Sequence, residues 1–148
     1  MHRRTRGRII ATTAIVPLVL TLAACGDDDE KKAQAAAGQS CPSSISGTAA
    51  DQLPSDFPPP EGASAPYQSF NQGATKVWYF AVDGDPDQLG DLRDSYDDVL
   101  KGKGYEIEGT DQEDGAEAES EFKGPHTGTT NFRPLCQGKV TLRLKLES

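Results

Sequence analysis

Lys76-Val77-Trp78-Tyr79-Phe80-Ala81-Val82 is the stretch on which the fold turns. Its β-branched and aromatic residues predict a strand, and apolar side chains on both faces put it in the middle of a sheet. Trp78, Phe80 and Val82 share one face; Val77, Tyr79 and Ala81 share the other. Just beyond, Asp85-Pro86-Asp87-Gln88 reads as a helix start. It supplies an N-cap, a proline at the first helical position and a glutamine three residues past the cap. Leu89, Leu92, Tyr96, Val99 and Leu100 then recur at the spacing of one helical face. Lys101 and Lys103 suit the negative end of the helix dipole, and Gly102 or Gly104 ends the element. The helix is expected to pack through Leu92, Tyr96 and Val99.

Working outward, a strand near 65–70 precedes the turn Asn71-Gln72-Gly73. Strands are predicted at 105–108, 116–123 and 140–147, the first two separated by the acidic turn Gly109 to Gly115. Gly124 to Gly138 reads as a long loop rich in Gly, Thr and Pro. The order is ββαβββ. The fold class is α+β, a small antiparallel or mixed sheet of about five strands with one helix on one face. Pairing the last two strands so that Glu119 opposes Arg143 also opposes Glu117 to Lys145. The same register sets Phe122 against Val140 and Ala118 against Leu144 on the other face.

One helix covers one face of a sheet, so the other needs a cover. Leu53 to Pro66 carries Pro54, Phe57, Pro58-Pro59-Pro60 and Pro66, an extended strap (53–66) suited to lie on the domain. A partner or a small apolar ligand would serve as well, which makes Trp78 and Phe80 a candidate apolar contact face.

The N-terminus is an address. A basic head with Arg3, Arg4, Arg6 and Arg8 precedes an apolar run from Ile9 to Ala24, broken by Pro17. That run is short for a permanent span and normal for an export signal; the alternative is a short uncleaved anchor. Leu22-Ala23-Ala24-Cys25 resembles the lipobox of bacterial lipoproteins. The resemblance implies a signal peptide at 1–24, cleavage before Cys25 and diacylglyceryl lipidation of that cysteine, with fatty acylation such as palmitate. It further implies a chain held on the extracytoplasmic side of the bacterial cell membrane, where two or more acyl chains anchor stably. With Cys25 acylated, Cys41 and Cys136 remain. A disulfide between them suits an oxidising compartment, and two free buried thiols are the alternative. Residues 25–48, with Asp27-Asp28-Asp29-Glu30 followed by Ala, Gln, Gly and Ser, hold little to bury and read as a flexible tether. The folded domain is assigned to 49–148.

Charge and inventory narrow the function. The 148 residues are 35% hydrophobic, enough for one modest core. Fifteen Lys+Arg stand against 23 Asp+Glu, a net charge of −8; removing the four head arginines leaves 11 against 23, or −12. Such a surface repels phosphate backbones, so nucleic acid is not an expected partner. After processing His126 is the single histidine, which leaves transition-metal sites and Ser/His or Cys/His catalysis without their parts. The run Asp83-Gly84-Asp85-Pro86-Asp87, with Asp94 at the twelfth position, imitates a calcium loop. It lacks the sixth-position glycine and the final glutamate. No metal and no cofactor are expected.

Asp87, Asp91, Asp94 and Asp98 form one acidic stripe at helical spacing, a solvated face or a docking face for a basic partner. The expectation is a membrane-tethered extracytoplasmic lipoprotein, not an enzyme, acting as a binding or interaction module towards an unknown envelope protein. The alternative is a carrier of a small hydrophobic ligand on the uncovered sheet face. A closed sheet face favours the module, and an apolar cavity of roughly 300 Å³ or more favours the carrier.

Overall fold

The computed structural model describes residues 31–32, 35–46, 51–63 and 65–147. The strands are β1 (Gln68–Gln72), β2 (Thr75–Asp83), β3 (Glu106–Glu113), β4 (Glu117–Lys123), β5 (Gly128–Cys136) and β6 (Lys139–Glu147). Helix α1 (Leu89–Gly102) follows a short 3-10 turn at Pro86–Gln88. The strands form a single antiparallel sheet in the order β1-β2-β6-β5-β4-β3, with α1 on one face. The fold is α+β, and β2 lies inside the sheet as its composition demands.

The helix punctuation holds. The Asp85 N–H donates to Gln88 Oε1 at 3.0 Å. At the other end the Tyr105 N–H reaches back to the Leu100 carbonyl (3.1 Å) and the Gly104 N–H to that of Lys101 (3.0 Å). Gly104 supplies the left-handed φ of 87° that this closing motif needs.

Three expectations are corrected. The segment read as a loop, Gly124 to Gly138, contains β5, which brings the expected sheet of about five strands to six. β5 lies between β4 and β6, so the expected pairing of those two strands does not occur. Asn131 instead opposes Glu119 on one side and Arg143 on the other. Phe122 faces Gly128 and Ala118 faces Phe132. The alternation within β4 and β6 is retained, with Leu142 and Leu144 fully buried. Gly128 belongs to the strand for a steric reason: a Cβ there would collide with the Lys145 carbonyl and the Phe122 ring. Pro134 is accommodated beside a bulge before Cys136.

The second correction concerns the helix face. The buried residues of α1 are Leu89, Arg93, Tyr96, Asp97 and Leu100. Leu92 and Val99 are only half-buried at the margin. The face is rotated because two ionisable side chains find partners beneath it. Arg93 donates to the Asp111 carbonyl at 3.1 Å, and Asp97 accepts from Ser120 Oγ at 2.7 Å.

The third concerns cover. Helix and strap lie on the same face of the sheet. Six strands span about 24 Å at the usual spacing, while a helix is about 10 Å across, so one helix roofs less than half of one face. α1 lies over β3, β4 and β5, and the strap fills the remainder. Phe57 is the strap's plug, 4% exposed and with its ring 5.5 Å from Tyr105 and 5.8 Å from Phe122. The Tyr96 hydroxyl ties helix to strap by donating to the Pro58 carbonyl at 2.8 Å, and Trp78 Nε1 donates to the Asp51 carbonyl at 3.0 Å. The opposite face carries neither α1 nor the strap. Lys32 and Ala36 approach only its margin, beside Glu113, Glu117 and Arg133.

Candidate binding cleft

The unequal widths of helix and sheet leave a gap where α1, the strap and the end of β2 meet. It is a cleft of about 240 Å³ walled by Pro60, Val82, Leu92, Tyr96, Val99 and Phe132, with Gly62 and Ser95 at its sides. Leu92 and Val99, expected in the core, form its helical wall. Two carboxylates stand at its edge, Glu61 from the strap and Asp83 from β2, the latter paired with Lys139.

On the helix, Ser95 separates this wall from the acidic stripe. All four of Asp87, Asp91, Asp94 and Asp98 are exposed. Asp94 is held by Arg93 (2.7 Å) and Asp98 by Lys101 (3.0 Å), whereas Asp87 and Asp91 have no ion pair among the described residues. The stripe therefore borders an apolar cleft. That neighbourhood could not be read from the helix alone, because the cleft's other wall is the strap.

Other candidate residues fall into place as follows. Cys25 lies outside the described residues. Cys41 and Cys136 are brought to disulfide distance, with Cα atoms 5.0 Å apart across a sequence separation of 95. The Gln137 N–H donates to the Gln39 carbonyl at 2.8 Å, so the end of the 25–48 segment is attached beside the β5–β6 turn. Trp78 and Phe80, at 3% and 2% exposure, are sealed under strap and helix. They are core rather than a contact face. Among the described residues, no group of three or more His, Cys, Asp or Glu is arranged to hold a metal ion, and no helix is long and apolar enough to cross a membrane.

Sequence reasoning missed the buried polar pair under α1. Burial raises the Asp97 carboxyl above its ordinary range, opposed by the Ser120 hydrogen bond and by the charges of Arg93 and Lys101. Its Oδ1 has no partner, nor has the buried Thr130 Oγ1. Asp97 lies on the sheet side of the helix, away from the residues lining the cleft. His126 sits 3.1 Å from Asp56 Oδ2, and this hydrogen bond holds the Asp56 carboxyl below its ordinary range. The ring of His126 packs edge-on to Phe57 at 5.9 Å, a contact that fastens the strap.

No family model, no curated protein and no solved structure matches this chain.

Proposed function

We propose that the chain is a lipoprotein, lipidated at Cys25 and tethered on the outer side of a bacterial cell membrane. Its folded domain works there as a non-catalytic interaction module, with Cys41 and Cys136 joined in the oxidising compartment. The cleft takes an apolar side chain of a partner protein, and the partner's flanking lysines or arginines lie along Asp87 and Asp91. The observation that carries this reading is the contiguity of apolar cleft and acidic stripe on one side of α1. At about 240 Å³ the cleft suits one side chain better than a freely carried lipophile, for which pockets of roughly 300 Å³ or more are usual.

Two measurements test it. Cys25→Ala should release the protein from membranes or leave an uncleaved precursor. Unchanged processing and membrane association would remove the tether. A synthetic peptide with one leucine between lysines should bind the full chain saturably, and Val99→Glu, which fills the cleft wall with charge, should abolish binding. Equal binding of a peptide with glutamates in place of the lysines would overturn the assignment of the acidic stripe.

A further inference from the structure

The two edges of the sheet differ in a way that bears on assembly. β3 exposes four acids, Glu106, Glu108, Asp111 and Glu113, and is broken by a bulge between Ile107 and Gly109. Charge and bulge are the usual protection of an edge against pairing with another chain. β1, the opposite edge, has neither: it reads Gln68-Ser69-Phe70-Asn71-Gln72, without a charge. At its centre is Phe70, 40% exposed and the one large exposed hydrophobic side chain among the described residues.

The order of these five residues is chemically symmetric about Phe70. A second β1 laid antiparallel would set Gln68 against Gln72, Ser69 against Asn71 and Phe70 against its twin. The backbone is in phase with this arrangement. A two-residue turn makes Gln72 and Thr75 a hydrogen-bonded pair, and alternation makes Phe70 with Val77 another. Ser69 and Asn71 consequently aim their N–H and C=O groups away from β2, at an edge that no described strand pairs with. The Asp51 N–H meets β1 only at the Ser69 side chain, 2.9 Å from its Oγ. The two Phe70 residues would form a non-hydrogen-bonded pair, in which side chains approach most closely. On the face opposite α1, Phe70 already stacks on Tyr79, with centroids 6.0 Å apart and planes at 28°. The second copy would extend this stack to four rings.

We propose that β1 pairs antiparallel with the β1 of a second copy of this chain, forming a two-fold dimer with one continuous twelve-stranded sheet. The acidic β3 edges at its two ends stop further growth, so the assembly closes as a dimer. An interface of five residues per copy is small, and the pairing is weak and reversible.

Cysteine cross-linking of the full chain in its membranes tests both contact and register. Phe70→Cys should oxidise to a covalent dimer about tenfold faster than Glu108→Cys on the other edge, as a held thiol pair does. Differently tagged Gln68→Cys and Gln72→Cys chains should cross-link to each other, and Gln68→Cys chains should not cross-link to themselves. Adding Phe70→Lys should abolish the mixed cross-link while near-ultraviolet circular dichroism stays unchanged. Equal rates at positions 70 and 108, or self-linking of Gln68→Cys as fast as the mixed pair, would overturn the proposal.

Discussion

The two faces of the sheet are made by the same six strands, yet they have opposite fates. The covered face collects Trp78, Phe80, Val82, Leu142 and Leu144 under a helix and a proline strap. The other collects Tyr79, Arg143, Lys145, Asn131, Glu119 and Glu121 and has no described roof beyond its margin. It is self-sufficient through lateral contacts. Asn131 donates to Glu117 and Glu119, Arg133 pairs with Glu117, and the Tyr67 hydroxyl meets Thr141 Oγ1 at 2.9 Å. One face is stabilised by what lies above it, the other by neighbours within its plane. Mutations should respond accordingly.

The largest separation is expected between Phe57 and Tyr79. Phe57→Ala removes the strap's plug and should cost about 3–5 kcal/mol in chemical unfolding. Tyr79→Ala, half-exposed on the open face, should cost about 1 kcal/mol. Equal costs would mean that the strap contributes little and that the open face is the true core. Gly128→Ala sharpens the same contrast. Its new methyl would meet the Lys145 backbone as well as Phe122 on the covered face, and overpacking of this kind costs about 1–3 kcal/mol. A neutral result would refute the close approach of β5 to β6.

How much of this was legible follows from which residues obey their usual signals. β2, the start of the 3-10 turn that leads into α1 and the end of α1 were readable because Trp78, Phe80, Asp85 and Gly104 do locally what such residues commonly do. β5 was hidden because Gly128 and Pro134, signals of a loop, serve here as a close approach and a bulge edge. The face of α1 was misread because Arg93 and Asp97 are polar at inward positions, and only their partners across the sheet, the Asp111 carbonyl and Ser120, make that tolerable. The cleft was invisible because its walls come from segments some 30 residues apart, Pro60 and Leu92 among them.

Asp97 gives the covered face a pH signature of defined sign. Its carboxyl is raised above 3.8 by burial, with Arg93, Lys101 and Ser120 pulling it back and Asp94 pushing it up. Between 3.8 and the raised value the native state holds a proton that the unfolded chain has released. Stability therefore falls as pH rises through that window and is level above it. Asp51 and Asp56 are lowered by Lys76 and His126, so their contributions are present above 3.8 and are lost as pH falls below it. Asp97→Asn keeps an acceptor for Ser120 and should abolish the fall above 3.8 while leaving the acid limb intact. Denaturant melts from pH 3 to 7 read both limbs. An unchanged decline in the variant would mean that another group produces it.

The smallest effect on stability should come with a measurable loss of recognition. Asp87, in the 3-10 turn, and Asp91, in the first turn of α1, project into water, and no described cation depends on them. Changing both to asparagine should alter unfolding by less than about 0.5 kcal/mol. If the stripe is only a solvated face, binding of the lysine-flanked peptide will be unchanged as well. If it is the docking rim of the cleft, affinity should fall and its dependence on salt should flatten, because the lost attraction is of the screened, exposed kind. The contrast with Val99→Glu then separates the two parts of the site. That variant should abolish binding at every salt concentration, since it blocks the cleft itself. Loss of affinity with an unaltered salt dependence in the double asparagine variant would place the partner's charges elsewhere and detach the acidic stripe from the cleft.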